Sequence, residues 1–372
     1  MKISVEKKDL ISVLSKTQNI VEKRNTMPVL INILLVVENN DLQVFATDLE
    51  VSLTDQLSVK VSQPGKLAVN AKNLFDIVRE LDDGPIHLES KSNHRLQITQ
   101  RKSVFNIVGL GAEEYPVFPT FKTKDFMTLD SNVLLEMIDR TIYSVSNDET
   151  RYHLNGVYFE KNEVKGKTQL RMVATDGHRL SVVDRFSADG DKDVIKGGVI
   201  IPRKGLVEIK KLIDFSQDKI EMAIEGSQLI VKSKSTVLMV RLIEGKYPNY
   251  QQLIPEKMNK KALIHRESLL SSIRRVSLLS NQKSKGVTIS LSGGRMEISS
   301  NNPDLGDAKE EIEVAYDGDD MKIGFNAKYI LDILNSFSEE TLNLELDGQL
   351  SPGLIRPKED KDYTCVVMPM RI

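Results

Sequence analysis

The sequence predicts an α+β protein of three similar domains, each with two helices and about eight strands. Three observations predict it: a helical segment repeated three times, a second helical signal earlier in each stretch, and alternating strand patterns with turn residues between them. The repeated segment reads Asn70-Ala71-Lys72-Asn73-Leu74-Phe75-Asp76-Ile77, then Pro202-Arg203-Lys204-Gly205-Leu206-Val207-Glu208-Ile209, then Asn326-Ala327-Lys328-Tyr329-Ile330-Leu331-Asp332-Ile333. Each copy has Lys third, a branched apolar residue fifth, an acid seventh and Ile eighth. Apolar side chains at Leu74, Ile77, Val78 and Leu81, and at Ile330, Ile333, Leu334 and Phe337, follow the spacing of a half-buried helix. The middle copy has Leu206, Ile209 and Ile213, interrupted by Lys210.

The earlier helices are read from Leu10, Val13 and Leu14, from Leu134, Met137, Ile138 and Ile142, and from Leu269, Ile273 and Val276. Val51, Leu53, Leu57, Val59 and Val61 alternate with mostly polar neighbours, the period of a strand with one face buried. Asp82-Asp83-Gly84-Pro85, Gly197-Gly198, Gly293-Gly294 and Asp347-Gly348 mark turns. Two further markers repeat in the same order: Ala46-Thr47-Asp48 returns as Ala174-Thr175-Asp176, and Tyr115-Pro116 as Tyr247-Pro248, each Tyr-Pro followed by another proline, Pro119 or Pro255. The expected domains are 1–120, 121–255 and 256–372.

No run of about 18 uncharged apolar residues is present, so no membrane span is expected. The opening Met1-Lys2-Ile3-Ser4-Val5-Glu6-Lys7-Lys8 lacks the apolar centre of a signal peptide, and the single cysteine, Cys365, fits a reducing cytoplasm. No phosphate loop, nucleophile elbow or His-Glu-x-x-His motif occurs. The five histidines (His87, His94, His153, His178, His265) lack metal-ligand spacing. Asp176-Gly177-His178 is the most enzyme-like triplet, and its plainer reading is a turn. The expectation is a protein that is not an enzyme, with no metal and no cofactor.

A net charge of −2 and a pI near 6.3 argue against a tight DNA-binding domain, which usually has a pI above ~9. The bases nevertheless recur on the inferred helices: Lys7, Lys8 and Lys16; Lys72 and Arg79; Arg203, Lys204, Lys210 and Lys211; Arg274 and Arg275; Lys328. Lys72, Lys204 and Lys328 stand in a first helical turn, where a cation opposes the helix dipole by ~0.3–1 kcal/mol. Phosphate is the anion such positions suit. Similar domains joined head to tail form an arc, and an arc that closes by association makes a ring. Held on DNA by topology, a ring needs no strong affinity, which reconciles the basic helices with the net charge. The rival readings are a DNA-modifying enzyme on a repeated scaffold and a protein-interaction scaffold unrelated to DNA.

Arg151-Tyr152-His153-Leu154-Asn155-Gly156, Val173-Ala174-Thr175-Asp176-Gly177-His178-Arg179-Leu180, Ile201-Pro202-Arg203-Lys204-Gly205 and the ending Val366-Val367-Met368-Pro369-Met370-Arg371-Ile372 resemble the bacterial DNA polymerase III β subunits, the β sliding clamps. Thr26-Met27-Pro28-Val29-Leu30 and Ala46-Thr47-Asp48-Leu49-Glu50 match that family's first domain, and Leu278-Leu279-Ser280-Asn281 and Gly324-Phe325-Asn326 its third. Gln252, Pro352 and His153 depart from residues common in the family. The resemblance implies a DNA-clamp fold and a head-to-tail homodimer ring around duplex DNA, read without sequence preference. It also implies partners in a clamp loader, the polymerase III catalytic subunit and other proteins carrying a clamp-binding motif.

The candidate DNA contacts are Arg24, Lys72, Arg151, Tyr152, Arg203 and Lys204. The resemblance places a partner-peptide groove on Leu154, Thr175, Gly177, His178, Arg179, Leu180, Pro248, Leu253, Asn326, Tyr329, Val366, Val367, Met368, Pro369, Met370 and Arg371, with His178 and Arg179 as its polar rim. An apolar chain end rich in methionine suits a surface that accepts several peptides. The dimer contact is expected at Phe105, Leu278 and Leu279.

Overall fold

The computed structural model describes residues 1–21, 27–187, 194–195, 197–215 and 219–371. Six α-helices are found among them: α1 (Lys7–Thr17), α2 (Ala71–Glu80), α3 (Ser131–Asp139), α4 (Arg203–Asp214), α5 (Arg266–Val276) and α6 (Ala327–Ser336). The apolar stripes anticipate the buried faces. Leu10, Val13 and Leu14 of α1, Leu269, Ile273 and Val276 of α5, and Ile330, Ile333 and Leu334 of α6 are all buried. Ile142 departs furthest: α3 ends at Asp139, and Ile142 lies in a separate 3-10 turn, Ile142–Ser144, while the Thr141 hydroxyl donates back to the Met137 carbonyl; Leu81 and Phe337 fall just past the ends of α2 and α6, and Ile77 is half-buried.

The three repeated helices start in two ways. The side chains of Asn70 and Asn326 accept hydrogen bonds from the backbone N–H of Asn73 and Lys328, a cap worth about 1 kcal/mol. Where the middle copy has Pro202, no amide side chain is available, and the Arg203 N–H is taken instead by the Asn155 carbonyl.

Every strand pairing found among the described residues is antiparallel, and the strands of the three thirds are shared between two compact units. One is built from Met1–Asn132 and Lys204–Leu242 with a short intervening stretch, the other from Val133–Gly190, Lys196–Arg203 and Ile243–Ile372. The reason is the hydrogen-bonded ladders. In the first unit a thirteen-strand sheet is continuous because Val237–Val240 of the middle third pair with Val51–Thr54 of the first third. In the second, an eight-strand sheet is continuous because Arg179–Val183 pair with Tyr363–Val367 of the last third. Strands from the middle third therefore belong to both units, although the repeats are laid out in threes along the sequence.

The expected alternation at Val51–Val61 is only partly present. The chain breaks between strands Val51–Ser58 and Lys60–Gln63, Ser52 is buried on what the pattern makes the polar side, and the charged Asp55 is buried on the apolar side. Asp55 is fully buried because Lys16 Nζ, 2.7 Å away, and the Ser235 hydroxyl satisfy it, and Ser52 shares a hydrogen bond with Thr47. A four-strand sheet in the second unit ends on the strand Gly306–Glu313, which pairs on one side only, with Arg295–Asn302. The strand Ser103–Leu110 of the first unit likewise pairs along its length with Arg95–Gln100 and touches its other neighbour only at Gly109 and Leu110.

Candidate partner groove and nucleic-acid contacts

The groove residues fall within the second unit. Three of them, Leu154, Leu180 and Val366, belong to a buried apolar cluster with Val173, Val182, Ile200, Tyr247, Tyr250 and Leu354, and Leu253, Ile254 and Tyr158 pack against it. Leu154, Leu180 and Val366 are thus core residues, and Val367 lies fully buried in the strand Tyr363–Val367.

One side is the turn between the strands Lys167–Thr175 and Arg179–Phe186. The Thr175 hydroxyl donates to the Arg179 carbonyl at 2.6 Å, and Asp176 Oδ1 accepts from the N–H of His178 and Arg179. Gly177 sits at φ +87°, which L side chains rarely adopt, and a methyl added there would lie 2.7 Å from Arg151 Nη1, so the guanidinium would have to move aside. The first Ala-Thr-Asp segment builds the same turn: Asp48 Oδ1 accepts from the N–H of Glu50 and Val51, with Leu49 at φ +76° in the place of Gly177. Asp176-Gly177-His178 is accordingly a turn, as its plainer reading has it.

Pro248 and Leu253 lie in the connector after Tyr247. Tyr250 fixes it: the phenol donates to Glu160 at 2.5 Å and accepts from Arg171 Nη1 at 3.2 Å, while Arg171 grips Asp184 with two bonds of 2.6 and 2.8 Å. Burial pushes the Tyr250 hydroxyl up to about 12, so it stays a donor at neutral pH. The Tyr158 and Tyr247 rings stack at 5.0 Å and 11° beside it. Sequence reasoning missed Tyr158, Tyr250, Arg171 and Glu160. The only signal was the aromatic spacing Tyr247-x-x-Tyr250, which a half-buried connector shares.

Arg179 corrects an expectation. It is no polar rim: only 7% of the residue is exposed, because its guanidinium holds Asp176 at 3.1 Å, Asp332 at 2.7 Å and the Tyr143 carbonyl at 2.5 Å, and lies over the rings of Tyr143 and Tyr329. His178 is exposed and stacks on Tyr329 at 6.2 Å. The Asn326 side chain is taken up by the α6 cap and by the Ser284 carbonyl. The end of the chain is docked: the Met368 N–H donates to the His178 carbonyl at 2.9 Å and the Met370 N–H to the Gly324 carbonyl at 2.8 Å. Met368, Pro369 and Met370 are half-buried and Arg371 is exposed; Ile372 lies outside the described residues.

Of the DNA candidates, Lys72 and Lys204 fall in the first unit and Arg151, Tyr152 and Arg203 in the second. Arg24 lies outside the described residues. Lys72 pairs with Asp76 one turn on, which offsets its position at the helix start. Lys204 Nζ sits 2.6 Å from the carboxylate of Asp48, whose side chain is 2% exposed, so this lysine serves the fold and is not the open surface base expected. Arg151 pairs with Asp148 at 3.0 Å and leans on the groove turn at Gly177. Tyr152 is 57% exposed, and Arg203 is exposed with one bond to Asn147. Lys328 has no ion-pair partner among the described residues. No cluster of metal-ligating side chains occurs among the described residues, and no helix of the described residues is long and apolar enough to cross a membrane.

Comparison with known proteins accounts for the whole length. Residues 1–119, 128–249 and 251–371 match, in order, the N-terminal, central and C-terminal domains of the DNA polymerase III β subunit. The β sliding clamps of Caulobacter vibrioides and Vibrio cholerae are 33% and 32% identical over 100% of both chains. Among solved structures, the Caulobacter crescentus clamp superposes with a TM-score of 0.94 at 33% identity. A Bartonella birtlesii clamp bound to griselimycin gives 0.94 at 33%, and the Pseudomonas aeruginosa subunit 0.93 at 32%, each over 100% of both chains. Three consecutive domain matches and full-length likeness in sequence and fold agree with the threefold helix repeat, and this chain belongs to the DNA polymerase III β subunit family.

Proposed function

We propose that this chain is a sliding clamp: two copies close head to tail around duplex DNA, are placed there by a clamp loader, and tether polymerase III and other partners through the groove. The proposed compartment is the cytoplasm, and the protein acts by position rather than by chemistry. The observation that carries the reading is the match to all three family domains across the full length. Topological retention is the test. Loaded on a nicked circle, the protein is expected to stay through gel filtration and to leave when the circle is cut. Retention on the linear form would overturn the ring.

The two open sheet edges support closure. Ser103–Leu110 and Gly306–Glu313 are eight residues each and carry unpaired backbone groups along one side. Beside the first lies a depression of 680 Å³ whose lining includes Ile77, Leu81, Arg101, Lys102 and Phe105. The second carries Glu310, Glu311 and Glu313, and Leu278, on the 3-10 turn packed beside this strand, is 76% exposed. Each copy thus offers an apolar-lined edge and an acidic one. Two such heterologous contacts between two copies close a ring.

DNA contact is proposed to be weak, salt-sensitive and indifferent to sequence, with Arg203 and Tyr152 the open candidates. Arg203→Ala is expected to reduce clamp loading while the dimer persists. Lys204→Ala is expected to lower stability by about 3 kcal/mol in urea unfolding, because the buried Asp48 loses its counter-charge. If it unfolds like the parent, the pair contributes nothing to the fold.

A further inference from the structure

We infer that Asp332 is a positioning residue of the partner groove, acting through Arg179 to set the lip made by His178 and Tyr329. The inference rests on the groove reading above. Asp332 stands three residues after Tyr329 on α6, so both project from one helix face. Its Oδ2 accepts from Arg179 Nη1 at 2.7 Å, and the same guanidinium lies 4.6 Å from the centre of the Tyr329 ring. Tyr329 in turn stacks nearly parallel, at 16°, on the exposed His178 ring. Nε and Nη2 of Arg179 are committed to Asp176 and to the Tyr143 carbonyl, which fix it to the turn and to the 3-10 segment Ile142–Ser144. Only the Asp332 bond ties it to α6 by charge. The lip is therefore composed of one ring from the turn and one from the helix, and their registration depends on this ion pair.

Removing the charge has a limited cost to the fold. Asp332 is partly exposed, with 28% of its side chain accessible, and Arg179 keeps Asp176 as its neutralising partner when Asp332 becomes Asn. What is lost is the force that holds the Tyr329 ring flat under His178. A loose lip must be ordered when a ligand binds, and that ordering subtracts from affinity.

Griselimycin, found on the Bartonella birtlesii relative, serves as the probe. Calorimetric titration of the full chain is expected to show Asp332→Asn weakening griselimycin at least about tenfold with the melting temperature nearly unchanged, and Asp332→Glu recovering part of the loss. Combined with Tyr329→Ala, the Asp332→Asn change should cost little more than Tyr329→Ala alone, since both act on one lip. Unchanged affinity in Asp332→Asn, full additivity with Tyr329→Ala, or a loss of affinity that follows unfolding would each overturn the inference. If His178→Ala and Tyr329→Ala themselves leave griselimycin binding intact, the groove reading fails first, and the positioning role with it.

Discussion

With Leu278 and Leu279 both changed to Ala, the protein is expected to stay folded and to sediment as a monomer at low micromolar concentration. Leu278 is 76% exposed on the 3-10 turn Ser277–Leu279, and Leu279 is half-buried, so truncating them costs the isolated chain little. In the proposed ring both are expected to be covered by the other copy. Burying a leucine is worth roughly 1.5–3 kcal/mol. Losing two at each contact removes about 3 kcal/mol or more, upwards of a hundredfold in affinity per contact. The backbone edges alone would then have to hold the copies together, and strand pairing without apolar cover is marginal in water. Sedimentation at several concentrations decides it. A double variant that remains dimeric would place the interface elsewhere, and Phe105→Ala is the independent check from the opposite side.

What the sequence could disclose divides along physical lines. Periodic burial is local, so the stripes of α1, α2, α5 and α6 were legible from spacing alone. The Ala-Thr-Asp turns were legible as a repeat, and their shared geometry follows from one carboxylate reaching two N–H groups ahead of it. Partners distant in sequence were not legible. Nothing local says that Lys204 meets Asp48, that Lys16 meets Asp55, or that Arg179 turns away from solvent toward Asp332. In each case an apparently free surface base is paired across strands or helices that only the fold brings together. The same limit hid the two-unit division, since it rests on the pairings Val240 with Val51 and Leu180 with Val366. Of the groove, the turn and the chain end were readable from their motifs. The Tyr250–Glu160–Arg171 anchor was not, because its three members come from a connector and two strands.

Deleting Met368 to Ile372 is expected to abolish griselimycin and polymerase binding while dimer and fold survive. The case turns on where the core stops. Cys365, Val366 and Val367 are 0–1% exposed, and their strand is held on both sides, by Arg179–Val183 and by Gly353–Ile355. Beyond Val367 only two backbone bonds are found among the described residues, Met368 to His178 and Met370 to Gly324, each worth about 1 kcal/mol net. The truncation should therefore lower stability by about 2 kcal/mol and no more. Its effect on binding is larger for a different reason. The half-buried Met368 and Met370 follow directly on the strand that carries Val366, and their flexible thioethers can adapt to an apolar anchor laid beside them. A few such anchors carry most of a peptide's affinity, often 2 kcal/mol or more each, so losing the wall removes more than thirtyfold per anchor. Pro369 keeps the tail extended between its two tethers without competing for a hydrogen bond. Unaltered polymerase binding by the truncated chain would remove the tail from the groove. Should the truncation unfold, the tail is core, and Met370→Ala becomes the deciding variant: it keeps both backbone tethers and changes only the surface a partner would meet.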